Sequence, residues 1–424
     1  MNRTANQPLV PSKNLLPFIL VTFLFFAWGL ANNMTDTLLA AFKKIMSMSD
    51  GKTSLIQMSF YGAYFLLAVP AALFIYRFTY KAGVLLGLGM FVTGALLFYP
   101  ASFSMVYGHF LTALFILAGG LSILETTSNP YIIAMGPPET GTQRLNLAQS
   151  FNPIGSIIGV MLSKFFILSN LNIAGAEERA VMSVEELKAV QGAELNAVMG
   201  PYVGVAGVLI VVWILIASIR MPAASERGEV SEFLPTFFRL FKRNNYRLGV
   251  IAQFFYVGAQ IGVWSFTIRY VMLELSVNEE QAATFYLIAL ILFVSARFVF
   301  TGLMRYFTPR VLLVFSSIMA IIATLLVVFT GGIVGVYSLV AISFFMSLMF
   351  PTIYGMAVEG LGNDMKIGGS GLIMAILGGA VLTFIQGQVS DLTGSIHLAY
   401  LVPAGCFFVV LVYGMMGRKK QSIE

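Results

Sequence analysis

Two carboxylates, Asp36 and Glu125, lie inside stretches that are otherwise apolar, and each has polar neighbours at helical spacing. Trp28, Asn32 and Asp36 recur at i, i+4 and i+8, so they share one drifting helical stripe with Asn33 beside it. Glu125 shares a face with Ser128 and Asn129; Pro130 follows and frees a backbone carbonyl that a polar neighbour or water must satisfy. Asn146, Gln149 and Asn152 recur at every third position and make another polar face. An acid at membrane depth costs about 2.5–3.5 kcal/mol on insertion scales, so it is kept where it faces a pathway, a partner or water. Burial disfavours the charged carboxylate, which makes both acids candidate proton carriers. Taken along its own helix, Asp36 lies roughly 9 Å outward of the centre and Glu125 roughly 4–5 Å inward, so the two are stacked in depth.

The second half of the chain is poor in acids and instead offers Gln253, Tyr256, Gln260 and Trp264 on one run, with Phe350 beside Pro351 as a further aromatic wall. Carboxylates and amides hydrogen-bond hydroxyls, and an indole covers the apolar C–H face of a pyranose. This combination suits a monosaccharide.

The elements that must position these residues are membrane helices. Of 424 residues 58% are hydrophobic and 10% charged, with a mean hydropathy of +0.86, against about 25% charged in a soluble domain. Twelve spans are predicted near 17–43, 54–76, 82–102, 108–135, 145–169, 200–219, 248–273, 281–304, 310–331, 335–358, 368–390 and 396–417. The first is too long for a signal-peptide core and has no small-residue cleavage pattern. Seventeen of the 25 lysines and arginines fall in the segments of one side and five in those of the other, which puts both termini in the cytoplasm. The net charge of +6 therefore reports topology and not nucleic acid. Cys406 is the single cysteine, excluding an internal disulfide or a cysteine metal cluster, and no metal or cofactor is expected. A membrane enzyme would need a nucleophile or an acid pair set for hydrolysis, which the spans lack. A sugar receptor would need a signalling domain.

The spans divide six and six: a bundle over 1–219, a cytoplasmic linker over 220–247 and a second bundle over 248–424. Phe233, Phe237, Phe238 and Phe241 in the linker are spaced for a helix on the membrane surface. An internal echo supports duplication. Arg77 to Lys81 is repeated as Arg305 to Arg310, Pro130 as Pro351, and Gly155 as Gly378, all at offsets of roughly 220–230 residues. Duplicated bundles with the site between the halves are a transporter architecture. In the outer loop Ser183 and Glu186 have capping-box spacing for a short amphipathic surface helix. The remaining intramembrane cations read first as structural, Lys164 by snorkelling and Arg297 by internal pairing, with substrate contact the alternative for Arg269. Gly155 and Gly159 signal close helix packing, and His109 and His397 fall at outer span ends as interfacial residues.

The stretches Phe25-Phe-Ala-Trp-Gly-Leu-Ala-Asn-Asn-Met-Thr-Asp36, Leu124-Glu-Thr-Thr-Ser-Asn-Pro130, Arg144-Leu-Asn-Leu-Ala-Gln-Ser-Phe-Asn152, Tyr256-Val-Gly-Ala-Gln260 with Trp264, and Pro351-Thr-Ile353 together resemble the fucose permease group of the major facilitator superfamily. The resemblance runs over essentially the whole chain. It implies an all-α, twelve-helix carrier in two pseudo-symmetric bundles, a multi-pass monomer of a bacterial inner membrane that moves L-fucose or a related hexose inward with a proton. It associates Asp36 and Glu125 with proton coupling and sugar binding, and carries Asn32, Gln149 and Asn152 as cavity residues; Asn129, Gln260, Trp264 and Phe350 complete the expected substrate set. One departure is Phe350, where the group's fucose permease has a tyrosine. A lost hydroxyl changes sugar preference by about 1–3 kcal/mol in a dry site, so glucose and galactose carriers, or a facilitator without proton coupling, stand as alternatives.

Overall fold

The computed structural model describes residues 7–45, 50–104, 106–167, 179, 181–222 and 232–416, with the side chains of Asn32, Asp36 and Lys164 outside the described set. Helices α1 (Leu15–Ile45), α2 (Asp50–Arg77), α3 (Tyr80–Ser104) and α4 (Tyr107–Ala134) are followed by the short α5 (Gly141–Gln149), α6 (Phe151–Leu162) and the long α7 (Val184–Ser218). Beyond α8 (Phe233–Lys242) come α9 (Asn244–Leu275), α10 (Glu279–Leu303), α11 (Pro309–Phe329), α12 (Gly332–Met346) and α13 (Met349–Val358). The chain closes with α14 (Met365–Met374), α15 (Gly378–Thr393), α16 (Ile396–Ala399) and α17 (Leu401–Met415). Two compact units result: one takes the described residues of 14–128 and 151–227, the other those of 1–13, 129–150 and 228–424.

Among the described residues eleven helical runs are long and apolar enough to cross a membrane. The stretch expected as a continuous fifth span is interrupted. Helix α5 ends at Gln149, α6 begins at Phe151, and residues 163–167 loosen into a π-helical turn. Pro153 explains the first break, because it has no N–H to donate to the carbonyl four residues back, that of Gln149. The same chemistry divides α12 from α13, where Pro351 leaves the Ser347 carbonyl without its helical donor.

The sequence echo has a structural counterpart in each unit. Lys81 Nζ, at the start of α3, donates to the last carbonyls of α7, those of Ala217 (2.7 Å) and Ile219 (2.8 Å). Arg310, at the start of α11, donates through Nη1 to Gly414 (3.2 Å) and Met416 (2.6 Å) at the end of α17. A cation at a helix C-terminus satisfies orphan carbonyls and opposes the helix dipole, contributing about 0.3–1 kcal/mol. The glycine echo is equally physical. A Cβ on Gly155 of α6 would collide with the Phe26 carbonyl of α1, and one on Gly378 of α15 with the Phe254 carbonyl of α9.

Several local expectations are corrected. The Ser183–Glu186 capping box is present, but it opens the 35-residue α7 instead of a separate surface helix. The aromatic linker helix forms as α8, yet Phe233 is buried with Thr236 and Leu240, while Leu234 and Phe238 point outward; Arg239 meets Asp364 at 3.1 Å. Arg144 and Lys366, counted among loop charges from the sequence, are fully buried. Arg179 and Glu194 of α7 form a two-pronged ion pair at 2.9 and 2.6 Å, both 2% exposed. The carboxylate's hydrogen bonds raise the Arg179 pKa above its ordinary value.

Candidate functional site

Helix α4 carries its polar residues inward. Ser122, Thr126, Thr127, Ser128 and Asn129 are buried, and Glu125 is only 3% exposed. Ser122 Oγ donates to the Tyr64 carbonyl at 3.0 Å, and Thr127 Oγ1 to that of Ile123 at 2.6 Å. The helix continues past Pro130 to Ala134. Glu125 therefore sits one turn before Asn129 on an unbroken helix, with its side chain buried.

Within the unit that contains 129–150 and the C-terminal helices, Asn129 starts a connected frame. Gln149 Nε2 donates to Asn129 Oδ1 at 2.7 Å. Arg297 of α10, 3% exposed, donates from Nη1 to the Gln149 carbonyl at 2.9 Å and from Nε to the Ser347 carbonyl at 2.6 Å. These are the two acceptors that Pro153 and Pro351 release. The Arg297 guanidinium carbon lies 4.5 Å from the Phe293 ring centroid, and Phe293 meets Trp264 edge to face at 5.0 Å. Trp264 Nε1 donates to Ser343 Oγ at 3.2 Å. Tyr256, whose hydroxyl donates to the Met346 carbonyl at 3.0 Å, faces Phe350 at 6.4 Å between centroids.

The predicted residues thus fall into groups. Asn129, Gln149 and Trp264 are joined by the chain of contacts through Arg297, and Phe350 packs with Tyr256 in the same unit. Gln260 is half-buried on α9. Asn152, expected in the cavity, donates from Nδ2 to the Phe25 carbonyl at 3.2 Å where α6 crosses α1. Asn146 reaches Thr352 Oγ1 at 3.2 Å, and Gln143 the Thr301 carbonyl at 3.0 Å. The side chains of Asn32 and Asp36 lie outside the described set.

Sequence reasoning treated two arginines too simply. Arg144 caps the end of α4 through the carbonyls of Ile132 (2.7 Å) and Ile133, and also holds that of Leu9 at 2.9 Å. Arg297 pairs internally as expected, though with backbone carbonyls; the signal for it was a proline four residues beyond each acceptor. Arg269 is exposed and lies over the Phe266 ring at 5.4 Å. His109 is exposed, bonded to Ser104 at 2.7 Å. His397 is more than interfacial: it meets Glu274 at 2.7 Å and the Val327 carbonyl at 3.1 Å.

Amide donors and acceptors beside aromatic faces can recognise a small polyhydroxylated ligand. A cavity of about 690 Å³ lies elsewhere, lined by Phe23, Phe26, Leu30, Pro201, Val205, Leu209 and similar apolar or glycine residues. Among the described residues that line it, none has a polar side chain with which to orient a sugar. Among the described residues no group of three or more His, Cys, Asp or Glu is placed to hold a metal ion.

The sequence profile of the Major Facilitator Superfamily matches residues 18–381. The chain is 40% identical to the L-fucose-proton symporter of Haemophilus influenzae over 98% of its own length and 99% of the relative's. It is 37% identical to that of Escherichia coli over 94% and 92%, and 34% identical to a glucose/galactose transporter of Brucella abortus over 94% and 93%. The crystal structure of an E. coli fucose:proton symporter variant superposes with a TM-score of 0.88 at 37% identity, covering 94% of this chain and 98% of that one. With a family profile over most of its length, and relatives this similar from end to end, the chain belongs to the Major Facilitator Superfamily.

Proposed function

We propose that the protein is a proton-coupled carrier that imports a monosaccharide, L-fucose first, by alternating access. The observation that carries this is the buried Glu125, one turn before an Asn129 whose side chain is bonded to Gln149, in a chain similar over nearly its whole length to two L-fucose-proton symporters. Eleven helices are long and apolar enough to cross a membrane, and we read the interrupted α5–α6 run as a twelfth span. On this reading the protein has two six-helix halves, 1–219 and 248–424 joined by 220–247, with both termini in the cytoplasm, and it is a monomer in a bacterial inner membrane. Asp36 takes the proton from the outer side. Glu125 binds sugar and senses protonation, with Asn32, Asn129, Gln149, Asn152, Gln260, Trp264 and Phe350 as substrate residues. Sugar and proton together discharge the acids and let the carrier re-orient, whereas empty charged acids resist transfer into low dielectric.

Labelled L-fucose uptake into proteoliposomes, with and without an imposed pH gradient, tests the reading. Accumulation above equilibrium that follows the gradient is expected; equilibration alone would make the protein a facilitator, and Asp36→Asn that still accumulates sugar would remove that residue's role. A glucose or galactose preference is the second reading, favoured by Phe350 and by the likeness to the B. abortus transporter. Competition by fucose, galactose, glucose and arabinose separates the two.

A further inference from the structure

Arg297 is a buried cation for which the described residues of its unit provide no carboxylate partner. It has instead two backbone carbonyls, of Gln149 and Ser347, 2.9 and 2.6 Å away. Both owe their availability to a proline four residues on, Pro153 and Pro351, that supplies no N–H. A planar guanidinium with diverging N–H groups is suited to bridging two such acceptors, and a lysine is not. The third side of the same group lies against Phe293, which carries the edge-to-face contact to Trp264. One residue therefore touches the backbone of Gln149, the break beside Phe350 and the ring that orients the indole.

We infer that Arg297 is a positioning residue of the sugar site, holding the Gln149 amide and the Trp264 face in register by bridging two carbonyls that Pro153 and Pro351 leave open. This rests on the sugar-transport reading. Arg297 carries no proton in the cycle and acts on the ligand only through the groups it aligns. A purely structural staple would alter stability while leaving sugar affinity alone; a proton-path residue would alter the pH profile. A misplaced binding group weakens recognition, and shifts of about 1 Å are enough to lower rates roughly 100-fold in aligned sites.

The test is L-fucose uptake in proteoliposomes by Arg297→Lys, which keeps the charge and loses the fork. KM is expected to rise about tenfold or more, with Vmax within about twofold and the pH profile unmoved. An unchanged KM overturns the inference, as does a displaced pH profile at constant KM. Adding Pro351→Ala restores an N–H for the Ser347 carbonyl and is expected to recover at least about threefold of the KM loss; no recovery overturns the part assigned to that carbonyl. Should Arg297→Lys fail to give monodisperse protein, Phe293→Leu keeps the cation and near-core volume while removing the shared ring. It is expected to raise KM about threefold or more, and an unaltered KM overturns the link to Trp264. If the unsubstituted protein takes up none of the four sugars of the competition series, the transport reading falls and this inference falls with it.

Discussion

The crossing of α6 on α1 and that of α15 on α9 are built on one plan with different chemistry. In each, a glycine brings backbone against backbone, Gly155 on Phe26 and Gly378 on Phe254. Around the first, polar side chains reach across: Asn152 to the Phe25 carbonyl and Ser156 to that of Gly29, both near 3.2–3.3 Å. Around the second, Leu382 fills the space beside Gly258, and Gln386, 1% exposed, packs on Gly262 with neither amide atom hydrogen-bonded. Ala375 occupies the position that the repeat assigns to Asn152. The shared glycines show what each close helix crossing requires; the polar residues around them show where the two crossings differ.

The largest effect should come from the shared feature. Gly155→Val and Gly378→Val each force a side chain into a carbonyl, and each is expected to lower stability by about 1–3 kcal/mol or more, read as the thermal unfolding midpoint in detergent. Comparable losses support equivalent crossings; a tolerated Gly378→Val would break the equivalence. Gln386→Leu should raise the midpoint, since an amide buried without hydrogen bonds costs about 1–3 kcal/mol. A lower midpoint would mean that water completes this amide's bonding. Asn152→Ala makes the first crossing resemble the second and should cost about 0.5–1.5 kcal/mol, with sugar uptake falling further than that loss explains. An uptake defect no greater than the stability change would confine Asn152 to packing. The smallest effects belong to the helix-end cations: Lys81→Ala and Arg310→Ala should each cost about 0.3–1 kcal/mol, and a clear inequality would show that the two caps have diverged as the crossings have.

What was legible in the sequence follows from where the information is held. Glu125 and its polar neighbours stood out because side-chain polarity in an apolar run has no cheap explanation. Gly155 and Gly378 stood out as an echo. Arg144 and Arg297 were undervalued because their partners are main-chain carbonyls, which every residue possesses, and charge counting assigns such cations to loops or to absent carboxylates. The prolines at 153 and 351 carried the missing information, since a helix interior that contains proline must expose an acceptor. His397 was placed at a span end correctly, but Glu274, 123 residues away in sequence, is joined to it only by the packing of α9 against α16. Asn152 had the spacing of a cavity residue, and only the close approach of α1 shows that its amide is engaged there.

The glycine crossings also have a mechanical side. Where two backbones touch, no layer of side chains lies between them to shear or re-pack, and sliding by one residue would drive a Cβ through a carbonyl. Helices α1 and α6, and separately α9 and α15, are thus paired struts that travel together. Compliance falls to the stretches where the helical ladder is interrupted, beside a proline at Ser150 and between Met346 and Met349, and without one at 163–167 and 375–377. Glycine writes the struts, and proline writes two of the joints between them.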